Sequence, residues 1–295
     1  MYRFAVIMMG FCDPQVAAAE ELFVSQQLTR LGEYSSGIEG PAVDKAGNLY
    51  VVNFKRKGTV GRIASGASHS ELFLELPSGS RGNGIRFDTA GRMFVADFRK
   101  HNIFVVESGE RVPHVYVHDE RFNQPNDLAV AADGTLFASD PSFRKGSGQV
   151  WRIDRRMDGR GQATLMHTTR RLGTTNGIDL SPDGKLLYVG ESSSHELWVY
   201  QIRGNELASP QRLKVLAGEP DGLRTDVDGN IYVVTSEGKV SVLTPNGTHV
   251  RDVPLIGREP TNLTFGGPDG RTVYVTQRDG RYIETFRTNS PGREF

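Results

Sequence analysis

Six times the chain repeats a pattern that first reads Gly37-Ile38-Glu39-Gly40-Pro41-Ala42-Val43-Asp44-Lys45-Ala46-Gly47-Asn48-Leu49-Tyr50-Val51. Each copy joins two apolar segments of alternating character through a turn that contains glycine, which is the signature of a β-hairpin. The turn glycines are Gly47, Gly91, Gly134, Gly184, Gly229 and Gly270, separated by 44, 43, 50, 45 and 41 residues. Repeats of about 40 to 50 residues are typical of the four-stranded blades of a β-propeller.

The sequence therefore predicts an all-β fold, a six-bladed β-propeller with four antiparallel strands in each blade. One blade cannot bury both of its faces, so we expect the blades to stack about an axis as a single domain over residues 20–295. The last repeat has room for only three strands after Asn262. Residues 22–29 contain alternating apolar positions, and we expect this N-terminal strand to join the last blade and close the ring.

Composition excludes several classes of protein. The 35 basic residues balance the 35 acidic ones, so the chain lacks the charge that binding to nucleic acid or an anionic membrane surface requires. The only cysteine is Cys12, which excludes a disulfide framework and a cysteine-based zinc site. No GxSxG, HExxH or phosphate-loop motif is present. We expect a small-molecule partner and a monomer or a weak homo-oligomer.

Residues 1–19 have the layout of a secretory signal peptide. A short basic start at Arg3 precedes an apolar run over residues 4–12, and Ala17-Ala18-Ala19 resembles a cleavage site. The apolar run is too short for a membrane span, and no later segment comes closer. The sequence thus predicts a periplasmic or secreted protein. A cytoplasmic location is the alternative, because Asp13-Pro14 is unusual in a cleavage region.

A side chain that ends in a carboxylate or a carboxamide stands eight residues before every turn glycine. These positions, which we call the ring residues, are Glu39, Asn83, Asn126, Asn176, Asp221 and Asn262. Equivalent positions on the innermost strands of a propeller face one mouth of the central channel, so we expect the six to converge. A single Asn or Asp there could merely cap a turn. Six in register favour a site for a hard divalent cation, whereas the seven histidines show no ligand spacing.

Several longer motifs surround the ring residues. They are Arg121-Phe122-Asn123-Gln124-Pro125-Asn126-Asp127-Leu128, Thr175-Asn176-Gly177-Ile178, Pro220-Asp221-Gly222 and Pro260-Thr261-Asn262-Leu263. Through them the chain resembles, from about residue 31 to residue 286, the family of the senescence marker protein, gluconolactonase and luciferin-regenerating enzyme, and in particular its bacterial gluconolactonases. The resemblance implies a lactonase that hydrolyses sugar lactones such as an aldonolactone.

The resemblance also implies one catalytic divalent cation, with Ca²⁺ expected first and Zn²⁺, Mn²⁺ or Mg²⁺ as alternatives. Its ligands would be Glu39, Asn176 and Asp221, with Asn126 as a further ligand or a substrate contact. We expect Asn83, Gln124 and Asn262 to belong to the substrate pocket. Gln124 stands where animal members of the family carry an arginine, so the resemblance leaves the identity of the lactone open.

A bound cation would polarise the lactone carbonyl, and a base would take the proton of the attacking water. We expect Asp221 to be that base, with Glu39 as the alternative, and Asn126 to orient the substrate. Two other functions stay open at this point. One is hydrolysis of a phosphotriester or fluorophosphate on the same metal, and the other is a non-catalytic binding propeller stabilised by calcium.

Overall fold

The computed structural model describes residues 21–169 and 173–295, and every regular element within them is a β-strand. The predicted signal peptide, residues 1–19, lies outside the described residues. Within those two ranges no helix is long and apolar enough to cross a membrane.

Twenty-four strands form six sheets of four antiparallel strands each. Blade 1 contains β2 (Tyr34–Val43), β3 (Leu49–Phe54), β4 (Thr59–Ile63) and β5 (Glu71–Glu75). Blade 2 contains β6 (Gly82–Phe87), β7 (Met93–Asp97), β8 (Asn102–Val106) and β9 (His114–His118). Blade 3 contains β10 (Leu128–Val130), β11 (Leu136–Ser142), β12 (Ser147–Arg155) and β13 (Gly161–Thr168). Blade 4 contains β14 (Thr175–Leu180), β15 (Leu186–Glu191), β16 (Glu196–Arg203) and β17 (Glu206–Val215). Blade 5 contains β18 (Pro220–Thr225), β19 (Ile231–Thr235), β20 (Lys239–Leu243) and β21 (His249–Pro254). Blade 6 contains β22 (Pro260–Gly266), β23 (Thr272–Gln277), β24 (Tyr282–Arg287) and β1 (Gln26–Gln27). The predicted six-bladed propeller is confirmed.

The first strand of each repeat is the innermost strand of its blade. These strands, β2, β6, β10, β14, β18 and β22, pack against one another around the central axis. The turn that follows each inner strand contains the glycine identified in the sequence, and all six glycines have φ between +69° and +85°. Glycine adopts this conformation without the strain that a side chain would bring, so the predicted role of the turn glycines is confirmed.

The core lies between neighbouring blades, where the facing apolar side chains of two sheets pack together. Each pair of adjacent blades shares one buried apolar cluster. Between blades 2 and 3, for example, Trp151 is fully buried, and its ring lies 4.9 Å from that of Phe122 in an edge-to-face arrangement. Burying one large apolar side chain stabilises a fold by about 1.5–3 kcal/mol, so these clusters hold the blades together.

The N-terminal segment closes the ring, as the sequence predicts. Gln26 and Gln27 of β1 pair with Thr285 and Glu284 of β24. The contact continues beyond this short strand, because the backbone N–H of Leu28 donates to the carbonyl oxygen of Ile283 at 2.9 Å. The buried hydroxyl of Thr29 then accepts a hydrogen bond from the backbone N–H of Ile283 at 3.0 Å.

Residues 288–295 cover the mouth of the channel at which the turns of the inner hairpins lie. The backbone N–H of Val227 donates to the carbonyl of Pro291 at 3.0 Å, and that of Arg293 donates to the carbonyl of Thr225 at 3.1 Å. The guanidinium of Arg293 reaches Asp179 at 2.7 Å. The opposite mouth, where the inner strands begin, is the one that carries the ring residues.

The closure of the ring predicts the effect of changing Thr29. In Thr29→Val the N–H of Ile283 remains buried but loses its acceptor, which should lower the free energy of unfolding by about 1–3 kcal/mol. Thr29→Ser keeps the acceptor and is the matched control. Urea denaturation measures both variants, and equal stability of Thr29→Val and the unchanged protein would contradict the role given to this hydrogen bond.

Candidate active site

A cavity of about 280 Å³ lies at the mouth where the inner strands begin. A second cavity of about 350 Å³ adjoins it and shares part of its wall. Five of the six ring residues line the first cavity, which are Glu39, Asn83, Asn126, Asn176 and Asp221. The structure thus brings together the four residues that the sequence analysis assigned to the metal.

Two residues that the sequence analysis assigned to the pocket lie off the cavity wall. Asn262 is buried, and its side-chain oxygen accepts a hydrogen bond from the backbone N–H of Leu263 at 2.8 Å, while its amide nitrogen donates to Asp127 at 3.3 Å. Gln124 is partly buried, and its backbone N–H donates to Asp140 at 2.5 Å. Asn262 therefore belongs to a buried polar layer, and Gln124 to the segment that leads into blade 3.

Close packing of the inner strands brings the ring residues into one small volume. A Cβ atom added to Gly40 would lie 1.9 Å from the carbonyl oxygen of Asn83 in the next blade. A Cβ atom added to Gly177 would lie 2.2 Å from the carbonyl oxygen of Asp221. No side chain fits at such distances, so these positions require glycine. Each of the two glycines directly follows a ring residue in the chain.

A buried carboxylate fixes the segment that carries Asn126. Asp140 is fully buried and accepts hydrogen bonds from the backbone N–H of Asn123 at 2.8 Å and from the indole N–H of Trp151 at 3.0 Å. The backbone N–H of Asn126 donates to the carbonyl of Ser139 at 2.8 Å. These contacts explain why Asn126 holds its position at the axis although it lies before the start of β10.

The two carboxylates of the cavity oppose each other's ionisation. Burial raises the pKa of Glu39 to about 8, and the negative charge of Asp127 adds to that increase. Burial also raises the pKa of Asp221 well above its ordinary value, with the charge of Glu39 as the second cause. Arg278 and Asn176 act in the opposite direction and favour the ionised form of Asp221. Full ionisation of both groups would be favoured by a further positive charge in the cavity.

The amide side chains of the cavity present oxygens that have no partner. The side-chain oxygens of Asn83 and Asn126 are buried and accept no hydrogen bond from any residue that the structure describes. The amide nitrogen of Asn176 donates to Ser192 at 3.0 Å, which leaves its oxygen for the cavity. Buried polar atoms normally have partners, so unpaired ones indicate a site for a ligand.

Two carboxylates and several amide oxygens form the kind of donor set that Ca²⁺ binds in proteins. Over the described part of the chain, no cluster of three or more His, Cys, Asp or Glu side chains is placed to hold a metal. A cation in this cavity would therefore depend on the amide oxygens as much as on the two carboxylates.

The sequence of the chain matches a known protein family. Residues 38–278 match the family model described as the SMP-30/Gluconolactonase/LRE-like region. The chain belongs to this family.

Several known proteins with different names are similar to the chain. A gluconolactonase of Zymomonas mobilis is 28% identical over 273 residues, which cover 81% of this chain and 75% of that protein. A diisopropyl-fluorophosphatase of Loligo vulgaris is 24% identical over 310 residues, covering 95% and 96% of the two chains. A solved gluconolactonase from Xanthomonas campestris shares the fold with a TM-score of 0.75 at 23% identity, covering 90% of this chain and 89% of the other.

In this family member an ionic layer that the sequence analysis did not identify is buried in the channel. Asp127 is fully buried between two arginines, with Arg86 Nη2 at 3.2 Å and Arg224 Nη1 at 3.0 Å from its carboxylate oxygens. Burial raises the pKa of Asp127 to about 6, while the charge of Arg86 opposes the shift, so the carboxylate is ionised at neutral pH. The sequence does contain a pattern that could have revealed this layer, because each of the two arginines stands three residues after a ring residue.

This layer predicts a large effect of changing Asp127. In Asp127→Asn two buried guanidinium groups lose their counter-charge, which should lower the free energy of unfolding by about 3–5 kcal/mol. Asp183→Asn is the matched control, because Asp183 pairs with Lys185 at 3.3 Å on the surface, where an ion pair contributes about 0–1 kcal/mol. Chemical denaturation measures both variants, and similar losses in the two would contradict the importance of the buried layer.

Proposed function

We propose that the chain is a divalent-metal-dependent hydrolase that opens a lactone, with a sugar lactone as the first candidate. The observation that carries the proposal is the convergence of Glu39 and Asp221 with unpaired amide oxygens in one cavity. Membership of the SMP-30/Gluconolactonase/LRE-like family and the similarity to a gluconolactonase support this class of substrate.

The residues that would hold the cation are Glu39, Asn126, Asn176 and Asp221, with Ca²⁺ as the first candidate. Such an ion, when bound, supplies a Lewis acid for the lactone carbonyl oxygen. Asn83 also lines the cavity with an unpaired oxygen and is placed to contact the ion or the substrate.

Asp221 is the proposed base. Water adds through its oxygen to the carbonyl carbon, the bond from that carbon to the ring oxygen breaks, and the ring oxygen takes up a proton to give a hydroxy acid. Asp221 accepts the proton that the water loses. Burial and the charge of Glu39 raise the pKa of Asp221, which makes its carboxylate a stronger base, while Arg278 and Asn176 favour the ionised form that accepts a proton. Glu39, which shares the cavity, is the alternative base.

The proposed base predicts a loss of turnover in Asp221→Asn. The variant keeps an oxygen toward the cavity but cannot accept the proton, so kcat should fall by about 10²- to 10⁴-fold. Asp133→Asn, a change in an inner hairpin turn at the other mouth, is the control and should keep full activity. A pH-stat assay over a panel of aldonolactones with Ca²⁺ present measures both. Failure of the unchanged protein to open any lactone in the panel would contradict the proposed function. If Asp221→Asn changed only the stability of the protein, a non-catalytic propeller would be favoured.

The proposed cation site predicts that Ca²⁺ affinity falls with decreasing pH. Burial raises the pKa of Glu39 to about 8, and burial also raises the pKa of Asp221 well above its ordinary value. Protons therefore compete with the cation for the two carboxylates as the pH falls. Affinity should fall by about tenfold per pH unit for each proton displaced. Calorimetric titrations at several pH values measure this slope, and Glu39→Gln should weaken binding and make the slope shallower. An affinity that does not change between pH 6 and pH 8 would contradict the assignment.

A second candidate reaction is hydrolysis of a phosphotriester or fluorophosphate. It is favoured by the similarity, over 95% of this chain, to a protein named diisopropyl-fluorophosphatase. In such a reaction a cavity carboxylate would attack phosphorus and displace fluoride or an alkoxide. Water would then add to the acyl carbon of the resulting acyl phosphate, which would release the phosphorus acid and return the carboxylate with one oxygen from water. Turnover in ¹⁸O-labelled water followed by mass spectrometry distinguishes the two chemistries, because only the second would place label in Asp221 or Glu39.

A further inference from the structure

Three cationic side chains line the cavity beside the two carboxylates. Lys57 lies in the hairpin between β3 and β4 of blade 1, Arg81 directly precedes β6 of blade 2, and Arg278 directly follows β23 of blade 6. Phe98 and Phe143 provide apolar surface on the same wall. The protein as a whole has no net charge, so this concentration of cations at one mouth distinguishes the cavity from the average surface.

Among the described residues, only one of the three cationic side chains forms an ion pair. Arg278 pairs with Glu259 at 3.1 Å. Within the described part of the chain, no carboxylate oxygen lies within 4.0 Å of the side-chain nitrogens of Lys57 or Arg81. The guanidinium of Arg81 instead lies over the ring of Phe98, 5.2 Å from its centroid. A divalent cation held by the two cavity carboxylates would cancel their charge, which would leave Lys57 and Arg81 facing a cavity of net positive charge.

One buried amide anchors the backbone next to both cations. Asn53 is buried with φ of +65°, and its side-chain oxygen accepts a hydrogen bond from the backbone N–H of Gly58, next to Lys57, at 3.0 Å. Its side-chain nitrogen donates to the carbonyl of Gly82, next to Arg81, at 3.2 Å. The hairpin of blade 1 and the entry to blade 2 are therefore joined, and the backbone at both cations is ordered before any ligand binds.

We infer that the substrate carries an anionic group in addition to its lactone ring, and that Lys57 and Arg81 bind this group. The chemistry is that of a terminal oxyanion, such as a carboxylate or a phosphate. Hydrogen bonds from two charged donors suit such a group, whereas a neutral sugar lactone would leave both cations without an ionic partner. The inference rests on the proposed lactonase function and narrows its substrate class to acidic lactones.

The test compares lactones that differ in charge. One is an aldonolactone with a terminal hydroxymethyl group, the second has a carboxylate at that carbon, and the third has a phosphate ester there. The Ca²⁺-loaded protein should show a kcat/KM at least about tenfold higher for one or both anionic lactones than for the neutral one at low salt, and the difference should shrink at high salt. The larger of the two ratios identifies the anionic group.

Substitution of the two cations tests their role directly. Lys57→Met and Arg81→Met should each lower the ratio of kcat/KM for the anionic lactone to that for the neutral one by about tenfold, mainly through KM. Lys185→Met is the matched control, because it removes the same charge from an exposed inner hairpin turn at the other mouth. The control should leave the ratio unchanged.

Two results would overturn the inference while leaving the lactonase function intact. One is a neutral lactone opened as fast as the anionic ones, and the other is an equal loss for both kinds of lactone in Lys57→Met and Arg81→Met. If no lactone is opened at all, the proposed function fails instead. Calorimetric titration with the open-chain diacid then tests the anion site alone. Binding of the diacid that is weakened by Arg81→Met would support the anion site, and absence of binding would overturn it.

Discussion

Close contact between inner strands is the constraint on which the site depends. At Gly40 and Gly177 the neighbouring backbone occupies the space that a side chain would need. Six strands packed this tightly leave a narrow axis, and side chains at the start of each strand have only the mouth of the channel to enter. Backbone geometry therefore brings the oxygens of the cavity together. This arrangement has an energetic cost, because it buries two carboxylates of like charge in the same cavity.

Ionic groups of both signs follow one another along the channel. The acid pair of Glu39 and Asp221 lies near the layer in which Asp127 contacts two arginines, and farther along the axis Asp179 binds Arg293. Within that layer the charge of Asp127 raises the pKa of Glu39, and the charge of Arg86 opposes this effect. The interior of the propeller is thus a stack of ionic groups, in contrast to the apolar clusters between the blades.

The repeat made the fold predictable, because turn glycines and alternating strands report on local geometry. The ring residues were found in the same way, since equal positions in equal repeats must face the same mouth. Asn262 shows where this reasoning ends, because a ring position can turn its amide to the backbone of Leu263 and to Asp127. The place of Lys57 and Arg81 in the site could not be predicted, because both residues lie in segments outside the repeated pattern. These two segments are joined to each other by the buried side chain of Asn53.

The joining of β1 to β24 has a consequence for how the protein is made. Thr29 and Ile283, which meet in the last blade, are 254 residues apart in the chain. As the chain emerges from the ribosome, the segment around β1 has to wait until blade 6 has been synthesised before it finds its partner. Contacts between such distant residues slow folding, and unpaired strand edges favour association with other chains in the meantime. Closure of the propeller by β1 is therefore expected to be the slow step of folding, and the step before which the chain is most prone to associate with other chains.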